Sequence, residues 1–389
     1  MSLLDKFQQV AEQRAQLGDA DPSKVVIEKI ISPTEALIGG RHTILAGTNN
    51  YLGLTFDPEC IAAGQQALAE SGTGTTGSRM ANGNYAGHLA LEQELADYYG
   101  YPHAMVFSTG YSANLGTMLA LLGPDDAVLL DADAHASLYD GAAMSPASVY
   151  RFKHNDPDSL DKRLARLKDK AAQSLVVIEG IYSVIGDRAP LKEFIEVKDK
   201  HGALLLVDEA HSLGVLGATG RGLVEETDTL DQVDFVVGTF SKSLASTGGF
   251  CVSRHEELSL FRFASRPYVF TASPCPSVIA TTRAALKHLR AHPELITKLW
   301  HNAERLYGSL KASNLPISPE LSPVVAVMVD DRVRAAKAWY QLLQEGVYCN
   351  LMLPPSAPGG GSLLRFSMSA AHTDDQIDQI VAAVGRLDL

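Results

Sequence analysis

The four cysteines, at positions 60, 251, 275 and 349, include no C-x-x-C pair. That leaves no zinc or redox motif, so no metal site is expected. It fits free thiols in a reducing compartment, which points to the cytoplasm. Nowhere do ~20 apolar residues follow one another, so no spanning helix is expected, although peripheral contact with a membrane surface stays open. The N-terminal stretch MSLLDKFQQVAEQRAQLGD reads as a polar amphipathic helix without the apolar core of a signal peptide. Lysine and arginine form no run. The densest basic stretch, DKRLARLKDK (161–170), interleaves acids like a solvated helix face, and the formal net charge is −12. A nucleic-acid partner is therefore not expected. The dipeptide Gly-Lys is absent too, and with it the phosphate loop of nucleotide motors.

That last absence decides how VDEAHSLG (207–214) is read. Asp208-Glu209-Ala210-His211 spells the box with which helicases hold magnesium and a nucleotide, and it follows the apolar run ALLLV. GTGTTGSR (72–79) has glycines but ends in Ser-Arg. It is not a glycine loop that follows a strand and opens a helix, as phosphate and dinucleotide loops do. The motor reading fails. The acid and the histidine still stand at the C-terminal end of a strand, the edge where open α/β sheets bind ligands.

Past the first helix, TILAG (43–47) reads as a strand, and PECIAAGQQALAES (58–71) and HLALEQELADYYG (88–100) as helices. Then apolar strands alternate with helical stretches: AMVFS (104–108), AVLLD (127–131), SVYRF (148–152), SLVVIEG (174–180), ALLLVDE (203–209), FVVGTF (235–240) and GFCVS (249–253). Such alternation implies crossover units, hence an α/β fold with a mainly parallel seven-stranded sheet covered on both faces. The pattern changes near residue 275. Two long helical stretches, PVVAVMV (323–329), a helix, LLRFSMS (363–369) and a last helix (374–387) suggest a smaller α/β domain. The expected division is an N-terminal helix and arm (1–45), a large domain (46–275) and a small C-terminal domain (276–389). PPSAPGGGS (354–362) is the one loop of biased composition.

A second strand end, in GTFSKSLASTGG (238–249), carries Lys242 among hydroxyl and small residues. A lone lysine there is more often a surface residue. Its neighbours shift the balance. Thr239, Ser241 and Ser243 offer hydroxyls, the glycines permit tight turns, and Asp208 and His211 end another strand of the same sheet. Pyridoxal phosphate asks for this set. It needs a lysine for its aldehyde, a carboxylate to keep its pyridine nitrogen protonated, and hydroxyls with open N–H groups for its phosphate. FSTGYSANLG (107–116), a strand that turns into a helix start, suits the phosphate.

Almost the whole chain resembles the α-oxoamine synthases. The matching motifs are NNYLGL (49–54), GTGTTGSR, STGYSANLG (108–116), DADAHASLYDG (131–141), EGIYSVIGDRAPL (179–191), LVDEAHSLGVLGATGRG (206–222), GTFSKSLASTGG and RPYVFTAS (266–273). The resemblance implies a fold-type-I pyridoxal-phosphate enzyme that condenses an amino acid with an acyl thioester and releases carbon dioxide. SPTEA (32–36), DEAHS, GTFSKS and RPYVFTAS read like those of soluble bacterial members. Those members join L-serine to a long-chain acyl-CoA, the first step of sphingolipid synthesis. Asn49 stands where an aromatic residue is expected in that branch and where glycine-using members commonly carry Asn. Glycine and alanine therefore remain alternative amino acids, and a carrier-protein thioester an alternative donor. More distant alternatives are another fold-type-I aminotransferase or lyase.

Carried over by position, the resemblance makes Lys242 the Schiff-base lysine and the base for the Cα proton. Asp208 pairs with the pyridine nitrogen. His211 hydrogen-bonds the ring hydroxyl, with Ser183 nearby, and His135 stacks on the ring and meets the substrate. Gly110, Tyr111, Thr239 and Ser241 take the phosphate, joined by Thr271 from the second chain of a homodimer. Arg365 binds the substrate carboxylate, Asn50 lines the acyl-thioester entrance, and PPSAPGGGS is the mobile loop leading to Arg365.

Overall fold

The computed structural model describes residues 3–354 and 357–389, so Pro355 and Ser356 of the expected loop lie outside the described residues. The chain divides into two compact units, one of residues 52–183 and 188–297, the other of 1–51, 184–187 and 298–389. The boundaries thus fall after Tyr51 and Thr297, where the sequence suggested 45 and 275. The helix Pro276–Ala291 packs along the helix Pro58–Ser71 inside the larger unit.

The smaller unit begins with the helix Lys6–Ala15 and the strands β1 (Ile27–Ser32), β2 (Glu35–Ile38) and β3 (Arg41–Leu45). β1 and β2 were not legible in the sequence. Register shifts between Ile27 and Lys29 and between Ile30 and Ser32 break the two-residue period of β1.

The larger unit holds β4 (His103–Phe107), β5 (Ala127–Asp131), β6 (Ser148–Phe152), β7 (Ser174–Glu179), β8 (Leu204–Asp208), β9 (Phe235–Thr239) and β10 (Gly249–Ser253). They form one sheet in the order β4-β10-β9-β8-β7-β5-β6, in which β10 alone runs opposite to the other six strands. The mainly parallel seven-stranded sheet is therefore the observed one. Every residue of β5, β7 and β9 is buried, which a strand covered on both faces requires. β6, at the edge, is mostly exposed. Cys60 and Cys251 are buried and unpaired, and burial pushes both thiols up to about 12, far from the reactive range.

Four strands complete the smaller unit: β11 (Val324–Val329), β12 (Val347–Tyr348), β13 (Asn350–Met352) and β14 (Ser362–Ser367). β12 adds to β3 in parallel, and β14 pairs antiparallel with β11 and β13. No helix among the described residues is long and apolar enough to cross a membrane.

Candidate active site

Because only β10 is reversed, the C-terminal ends of the other six strands share one edge of the sheet. Three loops leaving that edge meet. After β9 the chain turns back sharply: Ser246 N–H donates to Phe240 O at 2.9 Å, and Ala245 takes a left-handed φ of 48°. This hairpin carries Lys242. Ser243 Oγ, buried in it, donates to Leu213 O at 2.6 Å, so the loop after β9 is pinned to the loop after β8. A side chain on Gly214, which has a φ of 73°, would strike Ser243 Cβ at 2.6 Å. On the other side Gly249 lies so near Gly110 that an added Cβ would sit 2.6 Å from the Gly110 Cα.

The result is a cavity of about 290 Å³ lined by Gly110, Tyr111, His135, Asp208, His211, Thr239, Ser241 and Lys242. Eight of the expected site residues thus line one cavity. Ser183 and Thr271 belong to the same unit but are not among the lining residues. Asn50 and Arg365 belong to the other unit. There Arg365 is buried and donates from Nη1 to Ser367 Oγ at 2.7 Å and from Nη2 to Asn49 Oδ1 at 3.1 Å. Asn49 thus has a local task, holding the guanidinium. Asn50 Nδ2 donates to Pro33 O at 3.4 Å.

Both oxygens of Asp208 are held. Ala210 N–H donates to Oδ1 at 2.9 Å and Asn114 Nδ2 to Oδ2 at 2.7 Å. One strand over, Glu179 is paired in register with Asp208 and also lines the cavity. Burial, then the Asp208 charge, drives the Glu179 carboxyl well above the carboxylate range, against Lys242 and the His135 N–H, which donates to Glu179 Oε1 at 2.5 Å. His135 caps the helix Ala136–Met144. Loss of solvation, with Lys242 added, lowers its pKa, while Asp208 and Asp140 pull the other way. Thr239 Oγ1 and Ser241 Oγ lie 2.9 Å apart, beside the first turn of the helix Gly110–Leu121. The early N–H groups of such a helix have no intrahelical acceptor and suit an anion.

Sequence reasoning missed Asn114, Ser137 and Glu179, all lining residues. Glu179 had a usable signal, an acid at the carboxyl end of an apolar strand. Asn114 had a weaker one, its place one turn after Gly110.

The glutamate of the Asp-Glu-Ala-His string proves structural. Glu209 is buried, accepts Leu223 N–H at 3.0 Å and Val224 N–H at 2.9 Å, and takes the Ser212 hydroxyl. It stitches the β8 loop to a short helix, Leu223–Glu226. Burial pushes its carboxyl up to about 7, against those hydrogen bonds. A carboxyl whose folded pKa is raised adds stability below its unfolded pKa and loses it as pH climbs through the folded one. The window here runs from about 4.5 to about 7. Glu209→Gln cannot ionise. Its NH₂ must face one of two backbone donors, so it starts less stable. Its stability relative to the wild type should nevertheless improve across that window, by up to ~3 kcal/mol. Urea unfolding at pH 5 and pH 8 measures the difference; an unchanged gap would remove Glu209 as the titrating group.

The sequence pattern described as aminotransferase class I and II matches residues 41–384. The chain belongs to that family. It is 54% identical over 389 residues to a serine palmitoyltransferase of Caulobacter vibrioides, covering 100% of this chain and 96% of the relative. It is 50% identical over 392 residues to the serine palmitoyltransferase of Sphingomonas paucimobilis, covering 99% and 93%. A solved structure of SPT with PLP internal aldimine superimposes with a TM-score of 0.96 at 48% identity, covering 99% of this chain and 98% of the other. The expected fold-type-I architecture is the one found.

Proposed function

We propose that the protein is a pyridoxal-phosphate-dependent C-acyltransferase that condenses L-serine with a long-chain acyl-CoA. In the net reaction the acyl carbonyl carbon bonds to the amino acid Cα and the thiol leaves. The bond from Cα to the carboxylate breaks and carbon dioxide departs. A proton returns to Cα, and the product is a 3-keto amine. The convergence of Lys242, Asp208 and His135 on one cavity carries this reading; the relatives supply the choice of substrates.

The cavity fits the cofactor by its donor set. It offers one lysine, one doubly held carboxylate and a helix start beside two hydroxyls. At Gly110 an added Cβ would lie 2.8 Å from Thr239 Cβ, so backbone alone can line that wall. When bound there, the cofactor supplies an electron sink for negative charge at Cα. The residues do the rest. Lys242 would hold the aldehyde covalently and move the Cα proton through Nζ. Asp208 would keep the proton on the pyridine nitrogen. His211 would hydrogen-bond the ring hydroxyl, the role in which the resemblance joins Ser183 to it. Gly110 and Tyr111 N–H groups, with the Thr239 and Ser241 hydroxyls, would receive the phosphate. His135 would cover the ring. To Arg365 and Asn50, in the other unit, the resemblance gives the substrate carboxylate, which a guanidinium fork would suit, and the acyl-thioester path.

The test offers palmitoyl-CoA with serine, glycine, alanine or threonine and follows free thiol and carbon dioxide. Serine should release both in equal amounts. Transfer of the amino group to a 2-oxo acid without thiol release would favour an aminotransferase instead.

We also read the protein as a homodimer with shared sites. Thr271 does not line its own chain's cavity, and neighbouring Phe270 is 75% exposed. The segment is rigidly presented: Ser108 Oγ donates to Ala272 O at 2.6 Å, and Ser273 N–H to Gly77 O at 3.0 Å. The glycine-rich loop thus latches this segment. Mixing Lys242→Ala chains with Thr271→Glu chains puts both lesions in one pocket of each hybrid. Activity should recover to about a quarter of wild type, since half the dimers are hybrids with one intact site of two. No recovery after proven exchange would return Thr271 to its own chain's site.

A further inference from the structure

One run of side chains in the cavity wall has no part in the roles above. Asn114 is buried in the first turns of the helix Gly110–Leu121, and Ser137 is buried in the first turn of Ala136–Met144. Both amide hydrogens of Asn114 are committed. Nδ2 donates to Asp208 Oδ2 at 2.7 Å and to Ser137 Oγ at 2.9 Å. The reversed amide would set Oδ1 against the carboxylate, acceptor against acceptor, so the orientation is decided. Ser137 Oγ, already accepting from Asn114, keeps its own hydrogen to give, and His135 Nδ1 lies 2.7 Å away. The Ser137 backbone N–H also donates to His135 Nδ1, at 3.2 Å. Nδ1 therefore faces two donors and can only accept.

A neutral imidazole that accepts at Nδ1 carries its hydrogen on Nε2. We infer that Asn114 and Ser137 are positioning residues which lock His135 in the Nε2–H tautomer and tie its ring to the Asp208 carboxylate. The inference deepens the proposed function and rests on it only for what the Nε2–H group meets; the tautomer belongs to the protein itself. A ring fixed this way presents one donor to the cavity it lines, suited to a carboxylate or a carbonyl oxygen. Protonating it would turn Nδ1 into a donor facing two donors.

The charged groups around the ring do not reverse this. Asp208 and Asp140 favour the imidazolium, while loss of solvation and Lys242 oppose it, and the balance lowers the His135 pKa. Glu179 accepts the His135 backbone N–H and is itself driven toward its neutral form.

The test is nitrogen NMR of the full-length protein with ¹⁵N-labelled histidine, titrated with pH, the His135 signals being assigned by their loss in His135→Gln. The wild type should show the Nε2–H tautomer alone. Ser137→Ala removes the hydroxyl donor, so a mixture of tautomers should appear and the titration should move to higher pH. Asn114→Ala should shift it the same way by less, and Ser137→Thr, which keeps the hydroxyl, should restore the wild-type pattern. An Nδ1–H tautomer in the wild type overturns the inference, even if no variant folds. So does a Ser137→Ala protein whose tautomer and titration match the wild type. Neither readout needs turnover, so failure of the serine assay leaves this test standing.

Discussion

Lys242→Ala should leave a folded protein with no covalently attached cofactor and with turnover lowered by ~10³-fold or more. Lys242 is the only lysine among the described residues lining the cavity. A positioned proton-transfer group contributes roughly 10²–10⁴-fold, and in the proposed role this residue would also supply the covalent hold on the aldehyde. The hairpin that carries it is held by main-chain bonds and by Ser243, none of which uses the lysine side chain. The fold should therefore survive. Borohydride reduction followed by peptide mass spectrometry reads the first effect, and thiol release from palmitoyl-CoA reads the second. A reduced adduct on any peptide of the variant would move the covalent role to another residue.

The sequence was most legible where burial on both faces leaves a continuous apolar run. AVLLD and GFCVS match β5 and β10 residue for residue; SVYRF also matches β6, although that edge strand is mostly exposed, and the helix Pro58–Ser71 has its expected ends. That helix begins at Asp57, whose carboxylate accepts Cys60 N–H at 2.9 Å, with Pro58 in the first turn; both are local signals. β1 failed for the opposite reason. Its isoleucines at 27, 30 and 31 are each just over 40% exposed, so neither burial nor alternation marks them. In the cavity, the residues that a cofactor would touch carried motif signals. Asn114 and Ser137 hold those residues through contacts between segments 23 and 94 positions apart in the chain, and no local pattern announces such contacts. The Asp-Glu-Ala-His string shows the same limit. Asp208 and His211 line the cavity, while Glu209 serves a helix fourteen residues on.

The two carboxyl groups at the ends of β7 and β8 frame the second large effect. Side by side in low dielectric, they cannot both be charged cheaply. Asp208 accepts two N–H donors and Glu179 one, and burial drives Glu179 toward its neutral form. Asp208→Asn should keep the cofactor bound to Lys242 but lower turnover roughly 10²–10⁴-fold, the scale of a lost buried charge partner. The amide oxygen can satisfy only one of the two donors. Whichever way the group is turned, its NH₂ then faces either Ala210 N–H or Asn114 Nδ2, so the geometry suffers with the charge. The same substitution removes the charge that raises the Glu179 carboxyl, which should then ionise more readily. Measuring kcat beside the borohydride-trapped adduct separates loss of chemistry from loss of cofactor. Near-normal turnover in Asp208→Asn, abolished when Glu179→Gln is added, would mean that the neighbouring strand supplies the essential acid and that Asp208 does not.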